Sequence, residues 1–126
     1  MYEDYSTRAW PAVVALGDAL AFQASIGEAE KQRRYRALWG TVRERVDAEA
    51  GLEWRSPRDP ELFSVIMAVE VLGVSAPQLG ARLGEEHGVS VRAFGPPLNT
   101  LRLSPNVGTS DEELVRFLDI VSSNGP

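Results

Sequence analysis

Apolar residues recur at helical spacing in four stretches of the chain, and short alternating or continuous apolar runs lie between the later ones. The first stretch starts at Pro11, which suits a first helical turn because its missing N–H would have no partner there. Val13, Leu16 and Leu20 fall on one face of this helix, with Val14, Phe22 and Ile26 near its edges, and Gly27 ends it. A second helix is predicted over residues 28–50. Its stripe is Tyr35, Leu38, Trp39, Val42 and Val46, and Gly51 suits the left-handed position after its last turn.

The pattern then changes to strands. Residues 52–54 read as a short strand, 56–60 as a turn cluster, and 63–69 as a central strand rich in apolar and β-branched side chains. Ser75 and Gln78 have the spacing of a capping box, with Pro77 in the first turn of a helix that carries Leu79 and Leu83 inward and ends at Gly88. Residues 89–92 form a strand, Gly95-Pro96-Pro97 a loop, and 100–104 another strand that Pro105 terminates. In that last strand Leu101 and Leu103 face one side and Arg102 the other. Ser110 and Glu113 form a second capping box, followed by Leu114, Phe117, Leu118 and Val121 on one helical face.

The order predicts an α/β (α+β) domain. Its small antiparallel or mixed sheet is covered by two helices, and two N-terminal helices precede it. A length of 126 residues suits one domain, with residues 1–50 an arm and two helices and residues 51–126 the sheet-and-helix part. Strands 63–69 and 100–104 are expected to be neighbours.

Composition narrows the chemistry. The chain has no cysteine, which removes disulfides, thiolate metal sites and cysteine nucleophiles together and accords with a reducing cytoplasm. A net charge of −5 argues against nucleic acid or an anionic membrane as the main partner. No apolar run approaches the roughly 20 residues of a membrane span. There is no nucleotide loop, catalytic triad or zinc spacing, and Glu53, Asp59 and Glu61 show no pairing suited to acid–base work or a metal.

Three segments, in order, resemble the C-terminal part of class V aminotransferase-fold enzymes, the fold-type I pyridoxal-phosphate (PLP) enzymes that include isopenicillin-N-epimerase-like proteins and cysteine desulfurases. Tyr5-Ser6-Thr7-Arg8, with Pro11 and the Ala15-Leu16-Gly17-Asp18-Ala19-Leu20-Ala21-Phe22 helix ending in Ile26-Gly27, resembles the family's G-T-R or G-T-P turn and following helix. His87-Gly88-Val89-Ser90-Val91-Arg92 is similar to its H-G-I-x-V-R passage. Leu101-Arg102-Leu103-Ser104, with the Thr109-Ser110-Asp111-Glu112-Glu113 helix start, resembles its arginine strand and closing helix. The resemblance implies that Arg102 binds the carboxylate of an amino-acid substrate. It also implies that Thr7, flanked by Ser6 and Arg8, touches the cofactor phosphate of a neighbouring active site. Ser6 stands where the family usually has glycine, Gly108-Thr109 where a tyrosine–asparagine pair is common, and the persulfide-forming cysteine of the desulfurases is absent.

The family's cofactor lysine, pyridine-nitrogen aspartate and ring-stacking histidine lie in a large domain that precedes these segments. The sole lysine here, Lys31, stands beside Arg33, Arg34 and Arg36 on a helix, whereas a Schiff-base lysine needs a desolvated pocket. No catalytic residue is therefore expected in this chain, and it is expected to be inactive alone. With Met1 leading into Thr7, the expectation is the small subunit of a split PLP-dependent enzyme, completing the active site of a lysine-bearing large subunit in a hetero-oligomer. The competing expectation is a non-catalytic binding or regulatory module derived from the same fold. Arg92, like Arg8, is a candidate for adding positive charge near a phosphate or carboxylate, and His87 reads as a structural residue suited to a helix C-terminus.

Overall fold

The computed structural model describes residues 9–125, which fall into two compact units dividing between Gln32 and Arg33. The first contains α1 (Trp10–Ile26) and the opening of α2 (Glu28–Ala48). Pro11 lies in the first turn of α1, as its missing N–H allows, and Gly27 ends the helix at φ 84°. The predicted face of Val13, Leu16 and Leu20 is not buried: these residues are 52%, 59% and 61% exposed. Asp18 is the only charge in α1, so apolar groups surround the helix and no face is distinguished from the others.

The second unit is a helix-covered sheet. Its strands are β1 (Leu52–Trp54), β2 (Met67–Val71), β3 (Arg92–Phe94) and β4 (Thr100–Leu103), in the spatial order β1-β2-β4-β3, all antiparallel. The helices α3 (Ala76–His87) and α4 (Asp111–Ser122) follow β2 and β4. The expected pairing of the two apolar strands holds: Met67 faces Leu103 and Val69 faces Leu101. With β4 inserted between β2 and β3, the segment β2–α3–β3 is a split β-α-β unit.

Alternation sends Leu52, Trp54, Met67, Val69, Val71, Leu101 and Leu103 to one face, where they share a core with the helices. Leu38, Val42 and Val46 of α2 belong to that core, as do Leu79 and Leu83 of α3 and Leu114, Phe117, Leu118 and Val121 of α4. Three helices therefore cover the sheet, one more than the pattern suggested. Trp39 packs edge-on against Trp54 (centroids 5.7 Å apart) and Phe63 (6.2 Å) at the core margin. The α2–α4 contact is tied by Arg45 to Asp119 at 2.7 Å and by Arg34 to Asp111 at 2.8 Å.

Four boundaries differ from the sequence reading. The central strand is Met67–Val71 rather than 63–69, because local hydrogen bonds divide the apolar run. Asp59 accepts the Glu61 N–H and Ser64 accepts the Ile66 N–H, which holds residues 59–66 in turns. The strand expected at 89–92 begins only at Arg92. The Val89 N–H instead closes α3 by donating to the Leu83 carbonyl, while Gly88 adopts the left-handed φ of 68°. Helix α2 stops at Ala48, and Gly51 does not take up the left-handed conformation. Finally, Ser75 precedes α3 without a side-chain capping bond. The Asn99 side chain supplies that cap, its Oδ1 accepting the Ala76 N–H at 2.9 Å.

Candidate functional site

The sheet's second face carries Glu53, Ala68, Glu70, Arg92, Phe94, Thr100 and Arg102, the residues that alternate with the core set. Ala68 and Arg92 flank Arg102 in register from the strands on either side. Leu101 and Leu103 are buried and lock β4 in place, so Arg102 stands exposed at a fixed point on this face. The sequence reading of Arg102 as the outward residue of its strand is borne out.

Arg102 borders two cavities. The larger, about 790 Å³, lies where the end of α3, the start of β3, the end of β4 and the first turns of α4 meet. Its polar lining includes His87, Arg92, Arg102, Thr109, Glu113 and Arg116. The smaller, about 390 Å³, reaches from Arg102 towards Arg55 and the Pro97-Leu98 turn. In the larger cavity Glu113 is committed to the helix cap: its Oε2 accepts the Ser110 N–H at 2.9 Å while Ser110 Oγ accepts the Glu113 N–H at 3.1 Å. That capping box is the one expected from the sequence. Arg102 and Arg116 have no hydrogen bond or ion pair among the described residues, and Arg92 has only the Phe94 ring, 5.6 Å from its guanidinium carbon.

The loop before α4 is held by its own short bonds. Asn106 Oδ1 accepts the Gly108 N–H at 2.8 Å, Thr109 Oγ1 accepts the Asn106 N–H at 3.0 Å, and the Thr109 carbonyl accepts from Arg34. A side chain at Gly108 would place its Cβ 3.2 Å from Asn106 Oδ1, so glycine suits this turn. At the far margin of the sheet face, Asn99 ties three elements together. Besides capping α3 it donates to the Val74 carbonyl at 2.9 Å and to Glu70 Oε1 at 3.3 Å. Glu70 also accepts from Arg55 Nε at 2.8 Å, and these bonds, Arg55 foremost, hold its carboxyl below the ordinary glutamate range.

The structure thus brings together His87, Arg92 and Arg102, and adds Arg116, which the sequence reading did not single out. Its signal was present: Arg116 lies one turn beyond the capping box and between apolar core positions. Ser6, Thr7 and Arg8 lie outside the described residues. Lys31 sits in the first turns of α2, in the other unit, 3.4 Å from Glu28. Hydrogen bonds from Gln32 and then Lys31 hold the Glu28 carboxyl below its usual range. Lys31, the only amine among the described residues, is paired with a carboxylate and does not line this cavity, whose guanidinium groups suit anions. Nor does any group of His, Asp and Glu among the described residues suit a metal ion. No single helix among them is long and apolar enough to cross a membrane.

No family model matches the sequence, and no curated protein matches it. Among solved structures, the chain is similar to the apo structure of a cysteine desulfurase from Thermococcus onnurineus NA1, with a TM-score of 0.71 and 23% identity. The match covers 82% of this chain and 28% of that one. It establishes the α+β fold, four helices with a four-stranded antiparallel sheet, that the segment resemblance implied. The chain therefore spans little more than a quarter of that enzyme's length.

Proposed function

We propose that this chain is the small subunit of a split, PLP-dependent class V aminotransferase-like enzyme of the cytoplasm, acting on an amino acid. The observation that carries the reading is Arg102: exposed at a fixed point on the sheet face opposite the helices, bordering a cavity, with no carboxylate partner among the described residues. A guanidinium in that state is suited to a substrate carboxylate, which it grips through two parallel hydrogen bonds. The large subunit supplies the lysine and holds most of the cofactor, and Thr7, with Ser6 and Arg8, reaches the phosphate of a neighbouring active site. When bound, PLP provides an electron sink for charge developing at the amino acid's Cα. This chain's part is to fix the carboxylate so that one Cα bond is aligned with that sink. The exposed apolar helix α1 supports a partner, because a helix apolar on all sides is ordinarily buried.

The test is co-expression with the neighbouring reading frames, followed by affinity capture and kinetics of the captured assembly. A larger chain carrying lysine-bound PLP is expected to co-purify. In that assembly Arg102→Ala should raise KM and lower kcat/KM by about one to three orders of magnitude, and Arg102→Lys should restore only part. A partner-free chain would favour the stand-alone binding module, and an unchanged kcat/KM in Arg102→Ala would remove the carboxylate role.

A further inference from the structure

Arg92 and Arg102 are directly opposite each other on neighbouring antiparallel strands, both exposed on the sheet face opposite the helices. Positions so paired bring their Cβ atoms to about 5 Å, and like charges placed there repel. Folding alone gains nothing from the arrangement. Elsewhere most described arginines are held by acids: Arg34, Arg43, Arg45, Arg55, Arg58 and Arg82 each have a carboxylate within 3.5 Å, while Arg36 lies over the Phe63 ring. At the 790 Å³ cavity three arginines together lack such a partner. Among the described residues Arg92, Arg102 and Arg116 all line it without an ion pair, and Glu113, the one acid in the lining, caps α4 through the Ser110 N–H.

A single α-carboxylate is satisfied by one guanidinium fork, so it leaves the second arginine of the pair without a partner. We propose that the substrate is a dicarboxylic amino acid, its α-carboxylate on Arg102 and its side-chain carboxylate on Arg92. This rests on the reading of Arg102 as the carboxylate grip and adds a specificity-determining role for Arg92. Phe94 supports that role by holding the Arg92 guanidinium over its ring, on the same face of the edge strand. Arg116, on the adjoining helix, adds positive potential to the same cavity.

Binding of simple acids to the full chain tests this without cofactor or turnover. Glutarate and butyrate serve as dicarboxylate and monocarboxylate probes, titrated at low ionic strength while the arginine Nε–H signals are followed by 15N NMR. Glutarate is expected to bind about three- to tenfold more tightly than butyrate and to shift the signals of both Arg92 and Arg102. Arg92→Gln should bring the glutarate-to-butyrate ratio close to one, and Arg92→Lys should keep part of it. Equal affinities in the native chain, a ratio insensitive to Arg92→Gln, or no shift with either acid would each overturn the proposal. Arg102→Gln separates the two layers. Butyrate affinity unchanged by it removes the α-carboxylate reading itself. Butyrate affinity lost, with a ratio unmoved by Arg92→Gln, removes only the role of Arg92.

Discussion

Asn99 shows how much one side chain decides. Its φ of 46° lies in the left-handed region that asparagine tolerates, and its amide joins the start of α3, the turn after β2 and the Glu70–Arg55 pair. Asn99→Gly keeps the backbone conformation open and removes only the side-chain bonds, so it should cost about 1–2 kcal/mol of stability. Asn99→Ala adds left-handed strain and should cost about 2–3 kcal/mol. Urea denaturation measures both, and an Asn99→Gly chain as stable as the native one would show that these bonds contribute nothing. The sequence could not reveal this cap, because asparagine and helix are 23 residues apart and meet only when β4 enters the sheet. The Ser110–Glu113 box was legible for the opposite reason: both partners lie within one turn, and local backbone geometry suffices to join them.

Among the elements, α3 comes closest to the sheet, and Gly80 makes the approach possible. A Cβ built there would lie 2.9 Å from the Ala93 Cβ on β3. Alanine is worth about 1 kcal/mol more than glycine in a helix interior, whereas this contact forces α3 and β3 apart. The packing loss is expected to win, leaving Gly80→Ala about 1–2 kcal/mol less stable by thermal or urea unfolding. Pairing it with Ala93→Gly should recover part of the loss, and strictly additive effects would show that the two sites do not touch. The same element explains why β3 was placed too early: Val89 looks like a strand residue by type, but its N–H is needed to finish the helix. Helix existence was legible for all four helices from apolar period and terminal residues. Strand limits were not, because serine and aspartate side chains compete for the backbone over residues 59–66.

For the whole molecule the main feature is exposed apolar surface on α1, including Trp10 at 63% and Phe22 at 63%. If that surface docks the large subunit, Leu16→Glu with Leu20→Glu should abolish its capture and reduce self-association of the isolated chain in sedimentation experiments. Unimpaired capture of the lysine-bearing chain by the double variant would show that α1 is not the docking element. The sequence by itself determined the α+β class, the four helices, the pairing of the two apolar strands and the outward placing of Arg102. The helices and the placing of Arg102 follow from period and capping, which are local properties of the chain, and the pairing from the shared apolar character of the two strands. It also carried the segment resemblance whose implied fold the desulfurase likeness bears out. Only the tertiary structure decided that α2 joins the core, that Asn99 caps α3, and that Arg92, Arg102 and Arg116 share one cavity with no ion pair among the described residues. Those facts depend on strand order and register, which bring together residues far apart in sequence and leave no mark on either local pattern.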